Sequence, residues 1–393
     1  MSDTTMTITI GNTALTKYQR DRIHSVDILE AQDAQTQVSI VAEAEVGPLS
    51  NWTTPLDPLL ARKQHQYPVF TVRLERDRDT LTVLARPISA LWSLTAGASS
   101  TLTVAGLDTS TDLDQVQVDK SWDGTSDSAI ARTLLGPNAK VIDTGPPDGG
   151  DRTPVRQLDT DWAFLRKLAR RNNYDVYLEY SGDPPVNHAY FGPIEYTAEK
   201  SWTLDLGYGA LGGTATAQVQ LMAGQHVRVA HAKDSTNGEQ LLAENRVAVK
   251  PMGTRFLGDA VTVQLSANDA EGTQTPEHLA HVREDQSAFA ATLTVTLSVP
   301  SMPLVRARRT VLVRGLGSVL SGLWLVKSVR HSISQGGHTQ ALTLVRNALG
   351  DGSPDDARAA ADAADDGTDI GAAIAATITA AVAEAAGARA SVL

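Results

Sequence analysis

The 393-residue sequence has no cysteine, which excludes disulfides, thiolate catalysis and cysteine-ligated zinc. It also lacks a basic surplus. With 34 lysines and arginines against 45 aspartates and glutamates, its formal net charge is -11, so the electrostatic footprint of a general nucleic-acid binder is missing. Met1 to Ile10 carries neither a basic region nor a continuous apolar core, so it does not read as a signal peptide and assembly in the cytoplasm is expected. The most membrane-like stretch, Ile370 to Ala386, is mostly alanine and threonine and carries Glu384, so no direct membrane insertion is expected. No serine sits in a G-x-S-x-G elbow, and no Walker sequence occurs.

What is present is mainly β. The hydrophobic share of 42% suffices for real cores, and the length suggests two to three domains of about 150 residues each. Over residues 1–118, apolar and polar residues alternate with a period of two around Val38 and Ile40, Val69 to Leu74, Leu81 to Leu84 and Leu102 to Val104, as in a half-buried antiparallel sheet. The charged run Glu75 to Asp79 predicts a hairpin turn. Gly47 to Tyr67, with Pro48, Pro55 and Pro58, reads as a long loop and a candidate contact surface.

Residues 119–200 change character. Thr125 to Leu135 and Thr160 to Arg171 read as short helices. In the second, Thr160 caps, Asp161 faces the positive end of the dipole, and Trp162, Leu165 and Leu168 form one apolar stripe. A strand follows at Tyr174 to Tyr180. Residues 201–350 return to strands, at Gln218 to Leu221, Val227 to Val229, Val261 to Leu265, Leu293 to Leu297 and Thr310 to Arg314, interrupted by a helix from Pro276 to about Ala290. A hairpin ends this part, with an apolar run from Leu323 to Val329, a turn over Ser332 to Gly337, and a return strand at Ala341 to Val345. The order is a duplicated one: β domain, small helical insert, second β domain. Residues 351–393 hold seventeen alanines and eight acidic residues against two arginines. Their first half reads as a solvated linker, and Ile370, Ile374, Ile378 and Val382 space an apolar stripe for a helix, free or docked on a partner.

Motifs that carry chemistry elsewhere have bland readings here. Asp143-Thr-Gly145 reproduces the aspartic-protease triplet, with Asp108-Thr-Ser110 as a near partner, but such a protease needs two carboxylates sharing a proton in a deep cleft. Gly207 to Gly212 satisfies G-x-G-x-x-G yet leads into a strand, whereas the dinucleotide motif opens a helix. His278 and His281 can share a helix face, with no third metal ligand indicated, and His331 and His338 flank the hairpin turn. No catalytic residue, metal or cofactor is expected. Arg306, Arg308, Arg309 and Arg314 stand out in an acidic chain, either as a solvated strand face or as a contact with acidic partners.

Four stretches in one order carry a family resemblance. They are Ser121-Trp-Asp-Gly-Thr-Ser-Asp-Ser-Ala-Ile130, Asp159 to Tyr174, Ser321-Gly-Leu-Trp-Leu-Val-Lys-Ser-Val-Arg-His331 and Gly336-Gly-His-Thr-Gln-Ala-Leu-Thr-Leu-Val-Arg346. The sequence from about 100 to 347 resembles the baseplate hub proteins of contractile tails: phage late-control D proteins, the N-terminal part of type VI secretion spike proteins, and hubs of extracellular contractile injection systems. It departs from that pattern at Arg306 to Arg309, where the family often has a glycine, and no spike domain follows residue 350. The resemblance implies two related antiparallel β-barrel domains per chain and a homotrimeric ring that joins a sixfold inner tube to a separate threefold spike protein beside neighbouring baseplate proteins. A non-contractile tail hub shares the plan; a β-rich hydrolase is the alternative of another class. Gly322, Trp324 and Val326 are then expected in the core, and the four arginines at an interface.

Overall fold

The computed structural model describes residues 4–46, 52–62, 67–95, 99–145, 155–182, 185–196, 202–206, 213–220, 224–233, 240–244, 250–257, 261–266, 276–298 and 302–350. The first part holds β1 (Thr5–Ile10), β2 (Thr13–Ala14), α1 (Lys17–Asp21), β3 (Ile23–Ala31), β4 (Gln37–Val46), β5 (Trp52–Thr53), α2 (Asp57–Leu60), β6 (Phe70–Arg76), β7 (Asp79–Ser93) and β8 (Ser100–Asp108). Burial alternates along β6 and β8, so Val72, Leu74, Leu102 and Val104 enter one apolar core with Ile8 and Ile40. The expected hairpin is β6–β7, registered from Phe70↔Ala85 to Arg76↔Asp79. Asp77 turns it at φ 51°, a left-handed conformation that aspartate tolerates. The segment expected as one long loop contains β5 and α2 where it is described. Pro58 lies in the first turn of α2, where a missing N–H costs nothing, and Leu56 and Leu59 are buried.

The middle part holds β9 (Lys120–Trp122), α3 (Asp127–Leu135), β10 (Val141–Thr144), β11 (Val155–Gln157), α4 (Asp161–Arg171), β12 (Tyr174–Gly182) and β13 (Pro185–Pro193). Thr160 Oγ1 accepts from the Ala163 amide at 3.2 Å, and Trp162, Leu165 and Leu168 are buried in a core shared with α3 and the β12–β13 hairpin. Ser126 caps α3. Arg171 donates from Nε and Nη2, one edge of its guanidinium, to the two oxygens of Asp127, and Asn172 Nδ2 donates to the same carboxylate at 2.6 Å. The end of α4 is thereby tied to the start of α3.

The last part holds β14 (Trp202–Asp205), β15 (Gly213–Val219), β16 (Gln225–Lys233), β17 (Gln240–Glu244), β18 (Arg255–Phe256), β19 (Val261–Ser266), α5 (Pro276–Ala288), β20 (Ala291–Leu297), β21 (Thr310–Arg314), α6 (Gly317–Leu320), β22 (Gly322–Ser334), β23 (Gly337–Arg346) and β24 (Ala348–Leu349). Trp324 and Val326 are fully buried in a second apolar core with residues of β20, β21 and β23. Burying each such large side chain contributes roughly 1.5–3 kcal/mol.

The fold is mainly β, and one sheet runs through both β parts. Its strand order is β15-β20-β23-β22-β3-β4-β8-β7-β6-β1-β2. The β22–β23 hairpin is longer than its sequence suggests, because β22 continues to Ser334 and β23 restarts at Gly337, leaving a two-residue turn. Nor does it close the second part on itself. Gly322 to Leu325 pairs with β21, a bulge follows between Val326 and Ser328, and Ser328 to Ser334 pairs with β3.

Arg346 fixes the end of this hairpin. Fully buried, it donates to the carbonyls of Ser321 at 3.1 Å, Met252 at 3.1 Å and Gly350 at 2.7 Å, and its guanidinium lies over the Trp324 ring. Gly322 makes room for it, because at φ +128° an added Cβ would stand 3.0 Å from the Gly350 oxygen and 3.1 Å from Arg346 Nη2. Arg346→Met leaves those carbonyls buried without their donor. We expect it to lower unfolding free energy by at least about 3 kcal/mol, read as a lower urea midpoint at unchanged slope.

Candidate assembly surface

The arginine run before β21 is the junction of the three parts of the chain. Arg306 Nη2 meets Glu30 Oε1 at 2.6 Å and its Nη1 meets Glu179 Oε1 at 2.7 Å. Arg308 Nε meets Asp175 Oδ2 at 3.1 Å, its Nη2 donates to the carbonyls of Ala31 and Ala34, and it lies over the Tyr177 ring. Arg309 Nη2 reaches Glu179 Oε2 at 2.9 Å. Asp175, Tyr177 and Glu179 alternate along β12, so they share one face, while Val176 and Leu178 face the core of the helical part. Burial pushes the Glu30 carboxyl up, but Arg306 outweighs it and holds it below the usual carboxylate value. Burial raises Asp175 in spite of Arg308.

Arg308 has φ 65°, which costs a residue with a Cβ roughly 1–2 kcal/mol. The ion pair and hydrogen bonds of the Arg308 side chain hold this backbone turn. The four arginines grouped by sequence therefore separate. Arg306 and Arg308 are engaged inside the chain, Arg309 is half-exposed, and Arg314 is exposed. Sequence reading missed their partners because Glu30, Asp175 and Glu179 are remote in sequence; the alternating polar face of β12 was the available signal.

The remaining motifs stay apart. Asp108 accepts from the Thr36 amide at 2.6 Å and the Ser110 amide at 2.9 Å, a buried turn cap, whereas exposed Asp143 lies on β10 in a different sheet. Gly207 to Gly212 lie outside the described residues. His278 and His281 lie on α5, and among the described residues no group of three or more candidate metal ligands occurs.

His331 and His338 meet across the hairpin, with His331 Nδ1 at 3.2 Å from His338 Nε2. His331 Nε2 faces the Val305 carbonyl at 3.0 Å, which only accepts, so that nitrogen carries the proton. His338 Nε2–H then donates to His331 Nδ1, and His338 Nδ1 accepts from Thr4 or Arg76. The chain of bonds is complete with both rings neutral. Burial lowers His331 to about 4; burial, with His331 and Arg76 beside it, lowers His338 to about 3.

Among the described residues, two of the open strand edges correspond to each other. β7 pairs β6 over its first half, bulges between Pro87 and Ser89, and then runs to Ser93 paired, among the described residues, only with β8. On this overhang Ile88 is 54% exposed, Leu91 67% and Trp92 45%, and no alternating pattern in the sequence distinguished it. Among the described residues β15 pairs only β20, and its Thr214 to Gln218 are all exposed. In strand order, β7, β8, β4 and β3 repeat as β22, β23, β20 and β15, with β6 answering to β21. The free half of β7 thus corresponds to the half of β22 that pairs with β3, and the open edge of β15 corresponds to the edge of β3 that β22 covers.

No family model and no curated protein matches the sequence. Solved structures do match in fold. A tail protein from Neisseria meningitidis MC58 superposes with a TM-score of 0.60 at 13% identity, covering 90% of this chain and 99% of that one. The 43 kDa tail protein of prophage MuSo2 from Shewanella oneidensis gives 0.60 at 14%, with 88% and 99% covered. An E. coli type VI secretion component, described as similar to the T4 bacteriophage tail proteins gp27 and gp5, gives 0.51 at 10%, with 82% and 73% covered. The chain has the fold of these tail and secretion-system proteins.

Two outcomes follow from the charged groups. Arg308→Glu sets a carboxylate against Asp175 and is expected to cost about 3–5 kcal/mol of stability, whereas Arg314→Glu stays within about 0.5 kcal/mol; denaturant titration separates them. For the histidine pair, the folded values lie below the unfolded one near 6.5, so the contribution is complete above that pH. As pH falls, the unfolded chain takes up protons that the fold refuses, and stability drops until pH reaches the folded values. The loss between pH 7.5 and 5 is about 2 kcal/mol per ring, and His338→Gln should remove about half of it in urea titrations at both pH values.

Proposed function

We propose that this chain is a structural baseplate hub of a contractile injection machine, a homotrimer that adapts a sixfold inner tube to a threefold spike protein. The observation that carries the reading is the correspondence of the open edges. Within one chain, β22 joins the two related four-stranded units by pairing with β3. The same contact between copies would pair the overhang of β7 with β15 of a neighbour. Such a head-to-tail contact is heterologous and closes into a ring when the rotation permits.

The eight strands from β15 to β7, taken three times, give twenty-four. At 4.7–4.9 Å between strands the circumference is about 115 Å and the diameter about 37 Å before strand tilt widens it. Two related units per copy give six similar units in the ring, which suits a sixfold tube above and a threefold spike below. An exposed apolar edge is a pairing template that isolated proteins avoid, which favours an assembled state. The reading needs no catalytic group, and the Asp143 triplet gains no partner for hydrolysis.

Sedimentation tests it with the double variant Leu91→Asp/Trp92→Asp. Wild type is expected at three times 41.8 kDa and the variant at the single-chain mass with unchanged circular dichroism. A wild-type monomer, or a trimer indifferent to the substitutions, overturns the reading.

A further inference from the structure

A cleft of about 820 Å3 opens between α4, α5 and the sheet. Its floor is apolar: Leu325 and Val345 belong to a small cluster with Ile194 and Phe289, and all four line the cleft. Its rim is basic. Lys167 and Arg170 come from α4, Arg283 from α5 and Lys327 from β22, and all four are exposed. Asp33 is the sole carboxylate among the described lining residues. A basic collar drawn from three separate elements is unexpected in a chain of net charge -11, and over an apolar floor it fits an occupant that is both acidic and apolar.

We propose that this cleft is the docking site of the chain's own acidic segment, residues 355–374. That segment lies outside the described residues, and its sequence has the required chemistry: Asp355, Asp356, Asp362, Asp365, Asp366 and Asp369, followed by Ile370 and Ile374. The carboxylates meet the rim and the isoleucines enter toward the floor. Reach is ample. Val345 in the floor is on the strand that leads to Gly350, and the nineteen residues from 351 to 369 extend up to about 65 Å.

Tethering favours this occupant over a free acidic peptide, because a linked segment competes at an effective concentration that short flexible linkers raise to about the millimolar range. The charge contact is screened by salt, whereas a purely apolar contact would be retained.

Carbodiimide coupling, which joins a carboxylate to an amine in direct contact, reads the complex in the full chain. A mixture of unlabelled and nitrogen-15-labelled protein reports whether the joined residues share a chain. The expected products join Lys167 or Lys327 to aspartates between 355 and 369 within one isotopic mass. Their yield should fall at least about fivefold in about 0.5 M sodium chloride, where the Debye length is below ~8 Å, and likewise in Arg170→Gln/Arg283→Glu, whose altered side chains are exposed. No such product, products joining differently labelled copies, or a yield indifferent to both salt and variant each overturn the proposal. Coupling to a neighbouring copy's segment would assign the cleft to an intermolecular contact instead.

Discussion

The pairing of β22 with β3, from Ser328↔Ala31 to Ser334↔Ser25, is the constraint on which the rest of the structure depends. It turns two β units into one sheet, and its register decides which side chains each core receives. With a strand period of two, a slip of one residue would expose Val329 and Ile333 and carry their polar neighbours inward. The bulge between Val326 and Ser328 lets one strand serve β21 first and β3 afterwards. Beside this seam, Arg306 ties Glu30 of β3 to Glu179 of the helical part, so the third unit is locked to the same line. Buried ion pairs of this kind add little net stability over an apolar equivalent; their geometric demand fixes how the three parts meet.

The seam also explains the open edges. On the proposed contact, the β15 end of the sheet and the apolar overhang at β7 are the two halves of one joint. β15 is built of small and polar residues from Thr214 to Gln218, exposed on both faces, and a flat small-residue edge lets another backbone approach closely. The overhang supplies the larger side chains. The sheet contains one completed example of the joint; the proposed contact between copies would form another from the β7 overhang and the β15 edge.

Much of this was legible in the sequence where the determinants are local. The Thr160 cap, the stripe of Trp162, Leu165 and Leu168, and the charged turn between β6 and β7 each depend on neighbours a few residues away. The arginine junction was not, because the meaning of Arg306 depends on Glu30 and Glu179, and a charge run is read locally as a surface. The left-handed turn at Arg308 was hidden by a residue type that rarely adopts it. The overhang was hidden differently: Ile88, Leu91 and Trp92 look like core residues, and only their exposure in the fold shows that they are not.

The central claim is that copies join through the contact that β22 and β3 make within one chain. Electron cryomicroscopy of the purified full chain at a resolution that separates strands tests it most directly. The account predicts threefold rings in which β7 of one copy runs antiparallel to β15 of the next at 4.7–4.9 Å, the spacing of hydrogen-bonded strands. Rings joined through any other surface, with both edges facing solvent, would contradict it.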